Sequence, residues 1–444
     1  MAIQLSDHFD YKRMLRFTLP SIAMTIFTAV YSIVDGFFVS NYVGKIPFAA
    51  IGLIAPLQII LGAVGSMIGS GGNALIAKTL GEGNRQKANN LFSFLTYTMF
   101  IIGAVMSAIA YILLPDIMVF LGAKGEILTE CIAYGKILMF GAPFLILQYA
   151  FQGFFVTAEK PKLGLFVVIG AGIANMILDA LLVVVFPLGI RGAALATVIS
   201  QCLGGVIPIF FFASKKNNWL LRLGKGSFDG KALVQSCFNG SSEFMSNVSA
   251  SVIALLFNAQ LLKYAGNDGV AAYGAIMYVN MIFNAVFFGF SMGISPVISY
   301  HYGAENQEEL KNLLKRCSIL TVAFSVLMYL ASVILARPFA LLYVGYDAAL
   351  MEMTLHGFRI YSFSFLVCGI STFASAFFTA LNNGLVSALI STMKSFVFPV
   401  VFVLLLPAFW KLDGIWCTAV FSQILAALVG IGFVIANKKK YQYL

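Results

Sequence analysis

Twelve apolar runs, each about twenty residues or longer, are parted by short stretches of Gly, Asn, Pro and charge, and they decide which solvent this chain can fold in. They cover residues 15–43, 48–79, 91–115, 129–158, 162–186, 190–213, 232–263, 270–301, 311–336, 348–381, 384–408 and 413–436. Each can cross a hydrocarbon layer of about 30 Å as a helix, the conformation that satisfies its own backbone without water. Several are longer than a straight span needs, so tilts or kinks are expected. The fold class that follows is an all-α polytopic membrane protein with 12 transmembrane helices. Composition agrees, because only 10% of the 444 residues are charged, against about 25% in a soluble domain.

The net charge of +10 is dispersed over short loops, which argues against nucleic acid as a partner and for the lipid bilayer. One set of alternate loops holds Lys12, Arg13, Arg16, Lys78, Arg85, Lys87, Lys160, Lys162, Lys215, Lys216, Arg222, Lys225, Lys231, Lys311, Lys315, Arg316, Lys438, Lys439 and Lys440. The other set holds Lys45, Lys124, Lys136, Arg191, Lys263, Arg337, Arg359 and Lys411. The richer set marks the cytoplasmic side of a cell (inner) membrane, so both termini are expected there. The charged opening, Asp7 to Arg16, precedes a run of full span length and reads as a retained helix rather than a cleaved signal. Six scattered cysteines without CxxC spacing and three isolated histidines, His8, His301 and His356, predict no disulfide framework, metal centre or cofactor.

The chain repeats with an offset of 222, half its length. Tyr42-Val43-Gly44 falls on Tyr264-Ala265-Gly266, Gly81 and Asn84 on Gly303 and Asn306, and Thr157-Ala158 on Thr379-Ala380. Gly192 falls on Gly414, and Ser200-Gln201 on Ser422-Gln423. Six spans is an even number, so both halves keep one orientation, and two parallel six-helix lobes related by an axis along the membrane normal are expected. Their bounds are 1–213 and 232–444, joined by a cytoplasmic loop over 214–231. Such a pair encloses a central cavity, and rocking of the lobes gives alternating access.

Acids are scarce inside these runs. Asp35 lies in the first and Asp179 in the fifth, where a charge costs about 3 kcal/mol or more, and Glu243 lies in the seventh. Asn175 and Asp179 are four apart and share a helix face. Thr197 follows on the sixth span, across a short hairpin. Two carboxylates, an amide and a hydroxyl brought together suit a hard cation such as Na⁺, a proton, or each in turn. An offset of 222 carries Asp35, Asn175, Asp179 and Thr197 onto Phe257, Val397, Val401 and Ala419, so the set belongs to one half alone. The competing reading makes Asn175 and Thr197 interhelical hydrogen-bonders beside a wet vestibule. Pro20 interrupts the first helix and permits either a moving or a static kink. Tyr31, one turn before Asp35, could donate to it or simply pack. Lys394 is a base deep in the eleventh span. It pairs with Glu243, meets an anionic group in the cavity, or snorkels to an interface. The spacing Gly65-x-x-x-Gly69 reads as close helix packing rather than substrate contact.

These residues resemble the multidrug and toxic compound extrusion (MATE) family over essentially the whole chain. The resemblance rests on Pro20…Ile33-Val34-Asp35, the set Asn175, Asp179 and Thr197, the loop Gly81-Glu82-Gly83-Asn84 with Ala88, and the 6+6 duplication. It implies a V-shaped molecule with a central cavity. It also implies export of amphiphilic or cationic drugs in exchange for H⁺ or Na⁺, and a monomer without a cofactor. Glu352 lies near the end of the tenth span, which departs from members with a second-lobe acid deep in that span, whereas Glu243 matches an acid in the seventh span of some. A flippase for a lipid-linked substrate of the same superfamily is the alternative. A major-facilitator transporter would need an acidic-basic signature in 80–90, and an intramembrane aspartyl protease a GxGD around its second acid; neither is present. No P-loop or HExxH motif points to an ATPase or a metalloenzyme.

Overall fold

A computed structural model describes residues 3–214 and 219–443; Lys215 and Lys216 of the basic loop lie outside the described residues. The helices are α1 (Tyr11–Tyr42), α2 (Lys45–Gly81), α3 (Arg85–Phe120), α4 (Gly125–Thr157), α5 (Pro161–Asp179), α6 (Ile190–Ala213) and α7 (Gly230–Asn239). They continue as α8 (Ser241–Gly303), α9 (Gln307–Val344), α10 (Ala348–Ser362), α11 (Phe365–Ala380), α12 (Gly384–Thr392), α13 (Phe398–Ala436) and α14 (Lys438–Tyr441). π-Helical turns extend α5 over Ala180–Val185 and join α12 to α13 over Met393–Val397.

Unbroken, the 63 residues of α8 would reach about 95 Å, three times a bilayer. Gly266 breaks it at φ 62°, and Lys411 breaks α13 at φ 49°. Helices α10 and α11 form one span bent by 48°. With these breaks the described helices give the twelve expected spans. The seventh starts later than the apolar run suggests: Gly240 separates residues 230–239 as α7, which packs beside α2 and α12. Pro20 is buried within a continuous α1.

The repeat is visible in backbone geometry. Side chains of Asn84 and Asn306 cap α3 and α9 in the same way, accepting from the backbone N–H three residues on. Gly44 and Gly266, and Gly189 and Lys411, are left-handed pairs at the 222 offset. Between them the register slips by one. Glu159 (φ 59°) corresponds to Asn382 (φ 56°), and the start of α5 at Pro161 to that of α12 at Gly384. Counted from those starts, Asn175 and Asp179 correspond to Phe398 and Phe402, not to Val397 and Val401. The counterparts are apolar in either register.

The halves meet through exchanged contacts. A Cβ on Gly81 would strike the Tyr300 carbonyl, and one on Gly303 would strike that of Lys78, the same contact displaced by 222 in each partner. Gly71 crosses the backbone at Ser236 and Gly240, and its counterpart Gly293 crosses α1 at Thr18 and Ser21. Gly65 and Gly69 admit Ile146 and Ala150 of α4 against α2, the close packing that their spacing predicts.

One hydrophobic core, running from Leu5 to Tyr443, takes residues from both halves and lies at the end that carries the chain termini. At the other end the core is divided. One cluster draws only on residues 39–198 and another only on 253–419. Tyr31, Asp35, Glu243 and Lys394 are deeply enclosed by protein, yet each keeps part of its surface accessible. A shared core at one end, separate cores at the other and accessible polar groups between them describe a cleft that opens away from the termini.

A strap closes the joined end. Leu5 N–H donates to Glu159 Oε1 (2.7 Å) of the first half. Four residues on, Phe9 N–H donates to Glu309 Oε1 (2.9 Å) of the second, and His8 Nδ1 lies 2.6 Å from Glu309 Oε2. Asn312 binds both the Phe9 carbonyl and Glu309. Glu309→Ala leaves the buried Phe9 N–H without its acceptor, which costs about 2 kcal/mol. We expect a lowered thermal midpoint in detergent, and an unchanged midpoint would show that the strap adds no stability. The segment after α6 is pinned too: Tyr97 donates to the Gly224 carbonyl, and Ser93 accepts from Gly224 N–H.

Candidate functional site

Helix α1 packs on α5, α5 on α6, and α4 on α6, and this arrangement brings the predicted set together. Asp35 on α1 and Asp179 on α5 face each other across the α1–α5 contact. Asp179 is fully buried and Asn175, one turn before it, nearly so. α5 ends at Asp179 and passes into the π-helical turn, a widened helix of the kind that recurs at functional sites. Thr197 on α6 donates to the Ala193 carbonyl (3.0 Å), leaving its lone pairs toward its surroundings.

Asp35 Oδ1, Asn175 Oδ1 and both carboxylate oxygens of Asp179 are buried and have no hydrogen-bond partner among the described residues. Two facing carboxylates repel, and unpaired buried charge costs several kcal/mol. The arrangement therefore demands positive charge, either a proton on the pair or a cation among these oxygens. Among the described residues no group of three or more His, Cys, Asp or Glu side chains could hold a metal ion. A bound cation would take two carboxylates and neutral oxygens, a hard-cation donor set.

Tyr134 of α4 completes the wall. It is buried, points its hydroxyl toward Thr197, and lies within the field of both aspartates. No spacing rule links it to the set, because it stands 45 residues before Asp179 on another helix. Tyr31 packs over Gly172 and beside Phe27 (6.2 Å between ring centroids), and makes no recorded hydrogen bond to Asp35. Its observed contacts are packing ones, within the field of Asp35.

The second half fills the equivalent place. Phe257, the counterpart of Asp35, stacks on Tyr273 at 5.0 Å and 13°, and Tyr273 stacks on Trp416 at 6.4 Å and 30°. Glu243 and Lys394 stand apart from this aromatic plug. They lie within each other's field but form no ion pair, and Lys394 Nζ donates to Thr372 Oγ1 in the middle of α11. Snorkelling to an interface is therefore not the conformation adopted.

A duplicated twelve-span bundle with an acidic pair at membrane depth in one half has the architecture of a secondary transporter. The chain belongs to the MatE family, whose model matches residues 20–181 and again 244–405, once in each half. It is 26% identical over 432 residues to the multidrug export protein MepA of Staphylococcus haemolyticus, covering 97% of this chain and 94% of that one. It is 25% identical over 431 residues to MepA of Staphylococcus aureus (95% and 92% covered). Among solved structures, one described as the outward-facing conformation of a multidrug resistance MATE family transporter of the MOP superfamily superposes with a TM-score of 0.92. It shares 20% identity, with 100% of this chain and 99% of that one covered.

Proposed function

We propose that the protein is a secondary active multidrug efflux transporter that exports amphiphilic or cationic organic compounds in exchange for H⁺ or Na⁺. The observation that carries this reading is the pair of facing carboxylates, Asp35 and Asp179, with their unpartnered buried oxygens. Asn175 and Thr197 supply neutral oxygens to the same place. The MepA relatives, similar over nearly the full length, support the drug-export half of the reading.

The lobes are 1–213 and 232–444, with the segment 214–231 between them, and the positive loops put both termini in the cytoplasm. In that orientation the cleft faces outward. Cation entry to the first lobe and substrate binding in the cleft stabilise different lobe arrangements, so each can drive the other. Pro20, buried near the exchanged contacts of α1, removes one backbone bond where the helix would flex.

The test is efflux of a fluorescent organic cation from proteoliposomes under separately imposed Na⁺ and H⁺ gradients. The expected result is export driven by at least one gradient, which also identifies the coupling ion. Export that ignores both gradients would overturn the reading.

A further inference from the structure

Lys394 is costly where it stands. An ammonium in an apolar span is kept only where something compensates it, and Lys394 sits in the π-helical turn Met393–Val397, surrounded by protein. It has three N–H donors, and among the described residues its recorded hydrogen-bond partner is the single hydroxyl of Thr372. Glu243 on α8 and Cys368 on α11 are the titratable groups that share its surroundings, and among the described residues no carboxylate reaches ion-pairing distance. The side chain is part-exposed although enclosed by protein, as Glu243 is. Glu243 in turn rises just above the Gly240–Gly71 crossing, where the two halves close on each other. Both groups therefore face the cleft near its floor. The first-half wall carries Asp35 and Asp179, and the second-half wall carries Lys394, with unused donors, in the field of Glu243.

We propose that Lys394 is an anion-recognition point of the cleft, taking the carboxylate of an amphiphile whose cationic end lies toward the acids of the opposite wall. This rests on the transport reading above and assigns recognition of a carboxylate-bearing substrate to one residue. A desolvated ammonium binds a carboxylate through short charge-assisted hydrogen bonds, which water in an open channel would weaken. Thr372 positions the ammonium rather than neutralising it.

The test uses two rhodamines that differ only in an ethyl ester against the free acid. One is a cation and the other a zwitterion. Initial export rates of both are measured in the same proteoliposome preparation. Wild type is expected to export both. Lys394→Gln should lower the acid-to-ester ratio about tenfold, equivalent to about 1.4 kcal/mol, and Lys394→Arg should restore most of it. Because the readout is a ratio within one preparation, partial loss of folded protein does not mimic it. Thr372→Val, which removes the positioning hydroxyl, is expected to lower the same ratio and serves where Lys394→Gln does not fold. An unchanged ratio in these variants overturns the inference. So does wild-type export of the ester alone, which leaves the transport reading standing, whereas export of neither dye overturns both.

Discussion

Asp35→Asn and Asp179→Asn each reduce gradient-driven export to the level of protein-free vesicles, while the folded protein is retained. Asparagine keeps the size of the side chain and some polar capacity but cannot carry the negative charge that attracts a proton or cation. It also removes one of the two buried groups that need a proton or cation to neutralise them, so neither substitution should lower the thermal midpoint. The combination of inactive transport and undiminished stability separates a coupling role from a packing role. If Asn175 and the aspartates merely held helices together, the same substitutions would lower stability and leave some export. Full export by both variants would sink the proposal.

The second large effect concerns the closure between the halves. Gly81→Leu and Gly303→Leu should each disrupt it to a similar degree, because each glycine crosses the backbone that the other's half presents. No side chain can give way where the obstacle is a carbonyl, and overpacking of this kind costs about 1–3 kcal/mol or more. The natural reporter is Cys317, fully buried in the shared core beside Met14 (Sγ to Sδ 3.7 Å). In a variant that keeps this cysteine alone, maleimide labelling should rise severalfold on either substitution. Gly52→Ala and Gly274→Ala are the controls, being a pair at the same offset with nothing within 4 Å of an added Cβ. Labelling that does not change in either leucine variant would show that the crossing is not what closes this end.

Much of this was legible in the residues because the membrane makes it so. Apolar length and loop charge gave the spans. Glycines at span ends gave the repeat, since a backbone crossing or a left-handed turn tolerates little else. Asp35, Asn175 and Asp179 could be singled out because polar groups are rare at that depth. Other features were not legible. Tyr134 looks like any tyrosine of an apolar run until α4 is seen to pack on α6. The one-residue slip after α9 is invisible to an ungapped comparison, and it moved the counterparts of Asn175 and Asp179 by one position. Gly240 reads as an ordinary glycine in an apolar run, whereas it ends α7 and delays the seventh span. The strap could not be foreseen either. Glu309 opens α9 as a charged residue normally would, and only the fold shows that its carboxylate holds Phe9 and His8, 300 residues away in sequence.

The aromatic stack Phe257–Tyr273–Trp416 leaves the second half without a seat like that of Asp35 and Asp179. Under the exchange proposed above, with one cation taken per cycle at Asp35 and Asp179, the charge moved is set by the cargo. A monovalent organic cation leaving as one coupling cation enters transfers no net charge, so the voltage across the membrane does no work and only the ion's concentration ratio drives export. A zwitterion leaving against the same ion moves one charge inward, and 100 mV then adds about 2.3 kcal/mol, roughly a fiftyfold steeper gradient of the exported compound.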